Sequence, residues 1–287
     1  GSAPFAITPS SALPTISGPV ILDGTLQKGY SGLPKVETQG TYGGLIITSG
    51  GSTVKGLKIN SSSGFGLTLS SSGGNNILAN QVSGILISSQ GNSINNNTIT
   101  GSTANGISIT AGAINNLIGT LAANTITGNA GYGISVLNAN GNQISNNTIG
   151  TNGLGGIFIT NSTGPVIGNS ITGNTGFGIS VTGGTGNQIS NNIVGANNGD
   201  GILFSGGTGS LSGNSVTANT GFGISVSNST ANQITNNTVG TNTLGGISTT
   251  NSTGSLTGNT VNSNLAFGIS LNASNGNTAS GDCVSGS

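Results

Sequence analysis

Apolar residues along this chain fall in short alternating clusters rather than in helical stripes. Residues 131–153 read Ile134-Ser135-Val136, then Gln143-Ile144-Ser145, then Thr148-Ile149, separated by Gly and Asn. Each cluster is too short for a helix, and its Ile, Val and Thr at period two suit strands. The pattern repeats. Gly131-Tyr132-Gly133-Ile134-Ser135-Val136 returns as Gly176-Phe177-Gly178-Ile179-Ser180-Val181, as Gly221-Phe222-Gly223-Ile224-Ser225-Val226, and as Phe267-Gly268-Ile269-Ser270-Leu271, at a spacing of 45 residues. A half-repeat such as Gly155-Gly156-Ile157-Phe158-Ile159-Thr160 sits inside each. The structural unit is therefore 22–23 residues with three strands. Three hairpin strands with their turns do not fit in that length, whereas a coil that climbs one strand spacing per turn does. The spacing predicts an all-β parallel β-helix with three strands per coil and about eleven coils over residues 44–287, preceded by a lead-in segment and cap over 1–43.

A second register supports the coil. Asn80, Asn97, Asn124, Asn147, Asn169, Asn192, Asn214, Asn237 and Asn259 each stand immediately before the third strand. A parallel column, Asn129, Asn152, Asn174, Asn197, Asn219, Asn242 and Asn264, precedes the first strand. Stacked about 4.8 Å apart, such side chains bond amide to amide, as in cross-β ladders. Asn also tolerates the left-handed conformation that tight corners need, so corner and ladder are expected of the same residues. Tyr132, Phe177, Phe222 and Phe267, with Phe65, share one repeat position and are expected to stack in the core or at a corner.

The ends depart from the pattern. Residues 1–43 hold five of the six prolines, Lys28, Lys35, Asp23 and Glu37, with strands expected near Val20-Ile21-Leu22 and Val36. Asp282 falls 23 residues after Asn259 and so takes a ladder position, and the coil pattern continues to Ser287. This suggests a continuing natural chain, or end-to-end stacking of another subunit at the C-terminal coil. The opening Gly1-Ser2 reads as a cloning scar or processed start, with any secretion signal outside this chain.

Units of this type, with Gly133-Ile134-Ser135-Val136 followed by Gly141-Asn142-Gln143-Ile144-Ser145-Asn146-Asn147-Thr148-Ile149, resemble the right-handed parallel β-helix repeats of bacterial secreted and surface proteins, within the broad pectate-lyase-like group. The lead-in Gly18-Pro19-Val20-Ile21-Leu22-Asp23-Gly24-Thr25, with Gly29-Tyr30-Ser31-Gly32, is similar to the segment that opens such domains. The resemblance implies a right-handed coil and an extracellular or cell-surface location. It implies no single activity, because the same repeats serve lyases, hydrolases, epimerases, adhesins and scaffolds.

Charge narrows the chemistry. Charged residues are 3% of the chain, with four Lys+Arg, four Asp+Glu and no His, against roughly 25% in an average domain. That leaves no basic footprint for nucleic acid, no cofactor or metal set to assign, and no apolar run long enough for a membrane span. Glycoside hydrolysis needs two carboxylates about 5–9.5 Å apart, yet Asp200 is alone on its coil and Asp282 lies more than three coils on. No catalytic residue is assigned, and Asp200 in Asn197-Asn198-Gly199-Asp200-Gly201 reads as a turn residue. The single cysteine, Cys283, has no intrachain partner and no role to assign. Lys28, Lys35, Lys55 and Lys58 read as solubility and end protection, Lys58 standing at the head of the Thr-rich column.

The neutral faces are then the expected working surface. On the third strand, outward hydroxyls flank one buried aliphatic: Thr98 and Thr100, Thr125 and Thr127, Thr148, Ser170 and Thr172, Ser215 and Thr217, Thr238, and Thr260. The expected function is a non-catalytic surface scaffold or adhesion module facing a glycan, a neighbouring chain or another extended surface. The alternative is ice binding through this Thr-x-Thr ladder, although Gly150, Gly240 and Ile193 interrupt it. Action on polysaccharides is set aside for want of carboxylates.

Overall fold

The computed structural model describes residues 5–286, so Gly1-Ser2 and Ser287 lie outside the described residues. All named elements are strands except one 3-10 turn at Gly24–Leu26, and together they make an all-β parallel solenoid of about 11 coils. Two compact units are distinguished, Gly1–Thr148 and Ile149–Ser287.

In the N-terminal unit the first strands of successive coils are Leu45–Ile47, Leu67–Leu69, Ile85–Ile87, Ile107–Ile109 and Tyr132–Leu137, paired in parallel and in register. The second strands run from Ile21–Asp23 through Thr53–Lys55, Asn76–Leu78, Ser93–Asn95 and Leu117–Ile118 to Gln143–Ser145. The third run from Phe5–Ile7 and Val36–Thr38 through Lys58–Ile59, Gln81–Val82 and Thr98–Thr100 to Thr125–Thr127. Residues before position 44 thus already contribute strands to two of the sheets. The C-terminal unit repeats the arrangement, with first strands from Gly155–Thr160 to Ile269–Asn272, second strands from Pro165–Ile167 to Thr278–Ser280 and third strands from Ser170–Thr172 to Cys283–Ser285.

Each strand sends alternate side chains inward, so like stacks on like along the coil interior. The buried column of the third strand is Ile59, Val82, Ile99 and Ile126 in the first unit, and Ile171, Val194, Val216, Val239 and Val261 in the second. Short strands suffice because every interior position is covered above and below by the next coil. The last coil differs: Val284 is 50% exposed and Leu271 45%, where Val261 one coil earlier is fully buried.

The asparagine columns are buried ladders, as the spacing predicts. In the first unit Asn80 Nδ2 donates to Asn97 Oδ1 at 3.1 Å, Asn97 Nδ2 to Asn124 Oδ1 at 3.1 Å and Asn124 Nδ2 to Asn147 Oδ1 at 2.8 Å. In the second, Asn169 continues through Asn192, Asn214 and Asn237 to Asn259, whose Nδ2 donates to Asp282 Oδ1 at 2.8 Å. The second column runs from Asn152 through Asn174, Asn197, Asn219 and Asn242 to Asn264.

Corner and ladder nevertheless fall on different residues. The left-handed residues stand immediately before ladder Asn residues: Asn96, Asn146, Asn191 and Asn236 in one column, and Thr151, Ala196, Ala218 and Thr241 in the other, with φ between 52° and 61°. A residue at such a φ turns the backbone, which aims the next side chain into the coil. The ladder Asn is thereby free of the strained conformation, and its amide bonds both the next rung and a neighbouring backbone carbonyl.

The aromatic position is half-buried at a corner rather than in the core. Phe177 lies 6.0 Å from Phe158, which belongs to a different position of the neighbouring first strand, and the Phe222 and Phe267 rings lie 5.7 Å apart. In between stands a glycine. A Cβ on Gly245 would come within 2.8 Å of the Phe267 ring. The largest fully buried side chain is Phe204.

Candidate functional site

The third-strand face carries the outward residues singled out above. Thr98 pairs with Thr125, and Thr100 with Thr127, in register, so two adjacent coils present four hydroxyls as a true grid. Thr98, Thr100 and Thr125 are exposed and Thr127 half-buried, while Thr148 is exposed. Toward the N-terminus the same two columns change character. Thr98 is followed by Gln81, then Lys58, then Glu37 in one column.

In the C-terminal unit the grid alternates. Ser170 and Thr172 face Ile193 and Gly195, which face Ser215 and Thr217, which face Thr238 and Gly240. Thr260 then pairs Thr238, with Asn262 beside Gly240. Thr172, Thr238 and Thr260 are exposed, Ser170, Ser215 and Thr217 half-buried, and Ile193 is 58% exposed. The doubled repeat inserts a glycine in every second coil, so the hydroxyl lattice is complete only across 98–127.

Two recesses adjoin that intact part. One, of about 270 Å³, is lined by Lys58, Asn60, Gln81, Ser83, Thr98 and Thr100. The other, of about 160 Å³, is walled by Tyr30, Gly32, Leu33 and Pro34 and shares Gln81 and Thr98 with the first. The lead-in loop therefore turns part of a flat face into a groove. Spacing within the repeat gives no sign of this, because the loop lies outside the repeat. The proline-rich composition of residues 1–43 was the only available signal.

Both acids of this unit are paired. Lys58 Nζ lies 2.9 Å from Glu37 Oε1, with Glu37 buried and Lys58 about one-third exposed. Lys55 Nζ lies 2.9 Å from Asp23 Oδ2. The Thr25 hydroxyl first, and then Lys55, hold the Asp23 carboxyl below its ordinary value. Asp23 also caps the 3-10 turn by accepting from Thr25 N at 2.9 Å. In addition to any solubility role, two of the four lysines thus join lead-in to coil.

The acids of the C-terminal unit serve backbone. Asp200 Oδ1 accepts from Phe222 N at 2.8 Å, matching Asn105 Oδ1 and Tyr132 N at 2.8 Å in the other unit. Burial pushes the Asp200 carboxyl above its ordinary value, with the Phe222 N–H partly offsetting it. Asp282 Oδ1 accepts from Asn259 N and Nδ2, both at 2.8 Å. Among the described residues no three His, Cys, Asp or Glu side chains cluster as a metal site, and no helix is long and apolar enough to cross a membrane.

One ladder escaped the sequence reading. Before the second strand, Asn75, Asn92, Asn116 and Asn142 are stacked by Nδ2–Oδ1 bonds of 2.8–3.0 Å. The signal was available as Asn before each second strand, but the column alternates with glycine in the second unit, where Asn187 and Asn232 flank Gly209.

The fold has solved counterparts. The A-module of the Azotobacter vinelandii mannuronan C-5 epimerase AlgE6 superposes with a TM-score of 0.72 at 15% identity, over 98% of this chain and 88% of that one. The periplasmic alginate epimerase AlgG gives 0.63 at 16% identity, over 87% and 77%. The catalytic unit of a GH87 α-1,3-glucanase from Streptomyces thermodiastaticus gives 0.53 at 16%, over 98% and 62%. At these identities the likeness is one of fold. No curated protein matches the chain in sequence.

These neighbours overturn the expected function. The surface scaffold or adhesion module and its ice-binding alternative give way, since the named neighbours are proteins of polysaccharide chemistry. The geometry also removes the physical basis of the ice reading, because Gly195, Gly240 and the exposed Ile193 break the hydroxyl lattice. The family described as right handed beta helix region matches residues 83–239 and 140–284, more than half of the chain. Three parallel sheets, coils of 22–23 residues and buried asparagine ladders agree with that match, and the chain belongs to the right-handed β-helix family.

Proposed function

We propose that this chain holds a linear polysaccharide in the groove between the lead-in loop and the third-strand face of its N-terminal unit, without itself cutting or epimerising it. The observation that carries the reading is the pair of adjoining recesses that share Gln81 and Thr98. Gln81, Asn60, Thr98, Thr100 and Lys58 offer donors and acceptors along it, and Tyr30 with the exposed Leu33 supplies an apolar wall. Sugar binding sites combine these elements: apolar surface for the ring face and a few placed polar groups for hydroxyls. The structural neighbours named for alginate and α-1,3-glucan chemistry make polysaccharide the first ligand to test. The reading also puts the chain outside the cytoplasm, where such polymers are found.

The carboxylates support binding without turnover. Asp23 and Glu37 are engaged by Lys55 and Lys58, and Asp200 and Asp282 by backbone N–H groups. Hydrolysis asks for an acid and a second carboxylate across one bond, and epimerisation for a proton acceptor and donor placed at one carbon. The groove lining includes no carboxylate.

Affinity electrophoresis through gels containing alginate or α-1,3-glucan tests both halves. Retardation by at least one polymer is expected, abolished in Thr98→Tyr and weakened in Gln81→Ala. Retardation that both variants retain, or none with either polymer, would discard the groove. New reducing ends, or a changed uronate composition by proton NMR, would discard binding without turnover.

A further inference from the structure

We propose a second sugar subsite, on the first-strand face of the N-terminal unit, that takes one uncharged hexopyranose ring against Tyr42 and Phe65. A recess of about 260 Å³ lies there, between the lead-in residues Ala12-Leu13, the segment 41–46 and the turn at 61–65. Its lining includes two aromatic residues, Tyr42 and Phe65, and four hydroxyl residues, Thr41, Ser61, Ser63 and Thr68, and no charged residue. Tyr42 is 44% exposed, so an aromatic ring is presented to solvent in a chain that has only 3% aromatic residues.

The occupant follows from that chemistry. A pyranose presents a C–H face to an aromatic ring and hydroxyls at its rim, and this recess has rings beside a hydroxyl margin. Ser63 Oγ already donates to Thr41 O at 2.7 Å, which holds the margin in place and leaves the serine oxygen to accept from a ligand. A carboxylate or phosphate would lose water there without gaining a counter-charge, which is costly. That separates this recess from the groove lined by Lys58. The volume falls just below the ~300–1,000 Å³ of sites that enclose drug-sized ligands, which suits one ring rather than a buried chain. An apolar peptide is disfavoured because it would cover the hydroxyls unpaired.

The chain has no Trp and three tyrosines, Tyr30, Tyr42 and Tyr132, so tyrosine emission reads the site directly. Methyl α-D-glucopyranoside, methyl β-D-galactopyranoside and methyl α-D-mannopyranoside serve as probes, with saturation-transfer NMR as the second readout. At least one should give a saturable emission change with a millimolar midpoint, retained in Tyr30→Phe. In Tyr42→Ala, saturation transfer to that glycoside should fall about tenfold, a change of ~1.4 kcal/mol. Thr68→Arg, a substitution at an outward strand position, should block the site while leaving the circular dichroism melt unchanged. It serves should Tyr42→Ala fail to fold.

No response with any glycoside at tens of millimolar, an undiminished response in the blocking variants, or equal binding of methyl glucuronide would overturn the proposal. The proposal stands apart from the groove reading. Gln81→Ala should keep the glycoside response, and Tyr42→Ala should keep retardation by polymer, so either can fail alone.

Discussion

Removing one rung of a ladder shows how much of this fold rests on buried amides. Asn214 is 1% exposed. Its Oδ1 accepts from Asn192 N and Asn192 Nδ2, both at 3.0 Å. Its Nδ2 donates to Asn237 Oδ1 at 3.0 Å and to Ile189 O at 2.9 Å. Asn214→Ala removes all four bonds. Asn192 N–H and one Asn192 amide hydrogen then lose their acceptor in the interior, while the other stays on Val166 O. At about 1–3 kcal/mol for each buried donor left unpaired, the cost is about 2–6 kcal/mol, against about 0.5 kcal/mol or less for the exposed control Thr238→Ala.

Asn214→Asp separates the donor from the acceptor role. The ionised carboxylate still accepts from Asn192 but turns a second oxygen toward Asn237 Oδ1 and Ile189 O, both acceptors. Burial raises the pKa of such a carboxyl. An acid that binds its proton more tightly when folded loses stability as pH rises from the ordinary Asp value to its folded value. The variant should therefore be weakest at neutral pH and recover toward acid, where the protonated oxygen can donate. Urea denaturation at several pH values, with unchanged slope, is the assay. A cost for Asn214→Ala no larger than that of the control, or a pH-independent Asn214→Asp, would refute the ladder as a source of stability.

Three further outcomes are expected. Asp200→Asn should raise stability at neutral pH, because the amide keeps the bond to Phe222 N and removes the charge whose burial raises the pKa. The gap between variant and parent should close below about pH 3, under the ordinary Asp value of ~3.9, as read by denaturation midpoints. Lys58→Ala should cost about 1–3 kcal/mol by leaving Glu37 buried and unpaired, less than the 3–5 kcal/mol of a fully buried pair because Lys58 is about one-third exposed; Glu37→Gln in the same background should recover most of it. Gly223→Ala should cost about 3 kcal/mol or more in thermal or urea unfolding, as overpacking without room to relax. The new Cβ would lie 2.7 Å from Asn242 Nδ2 and closer still to Val239.

The Gly-x-Gly-Ile pattern and the Asn columns were legible because a solenoid stacks equivalent positions directly on one another. Any residue that must meet its own copy about 4.8 Å away leaves a period in the sequence. Ile134, Ile179 and Ile224 show the core in this way, and Asn192, Asn214 and Asn237 the ladder. The scarcity of charge has the same cause, since repeated like charges along a column repel at every step. The separation of corner from ladder was not legible, because a left-handed φ is a property of backbone path, and Ala196, Ala218 and Thr241 adopt it without being residues that prefer it.

The candidate site was half legible. Thr98, Thr100, Thr125 and Thr127 were placed on one face by alternation alone, and the structure puts them in register. What alternation could not supply is the environment of that face. Gln81 and Lys58 continue the Thr98 column, and Tyr30, Leu33 and Pro34 wall the recess beside it. By itself, then, the sequence determined the coil, its period and its neutral faces, since these follow from contacts between equivalent residues one coil apart. Only the tertiary structure decided where a flat face becomes a groove, because the lead-in loop lies outside the repeat and its docking depends on side chains distant in the chain.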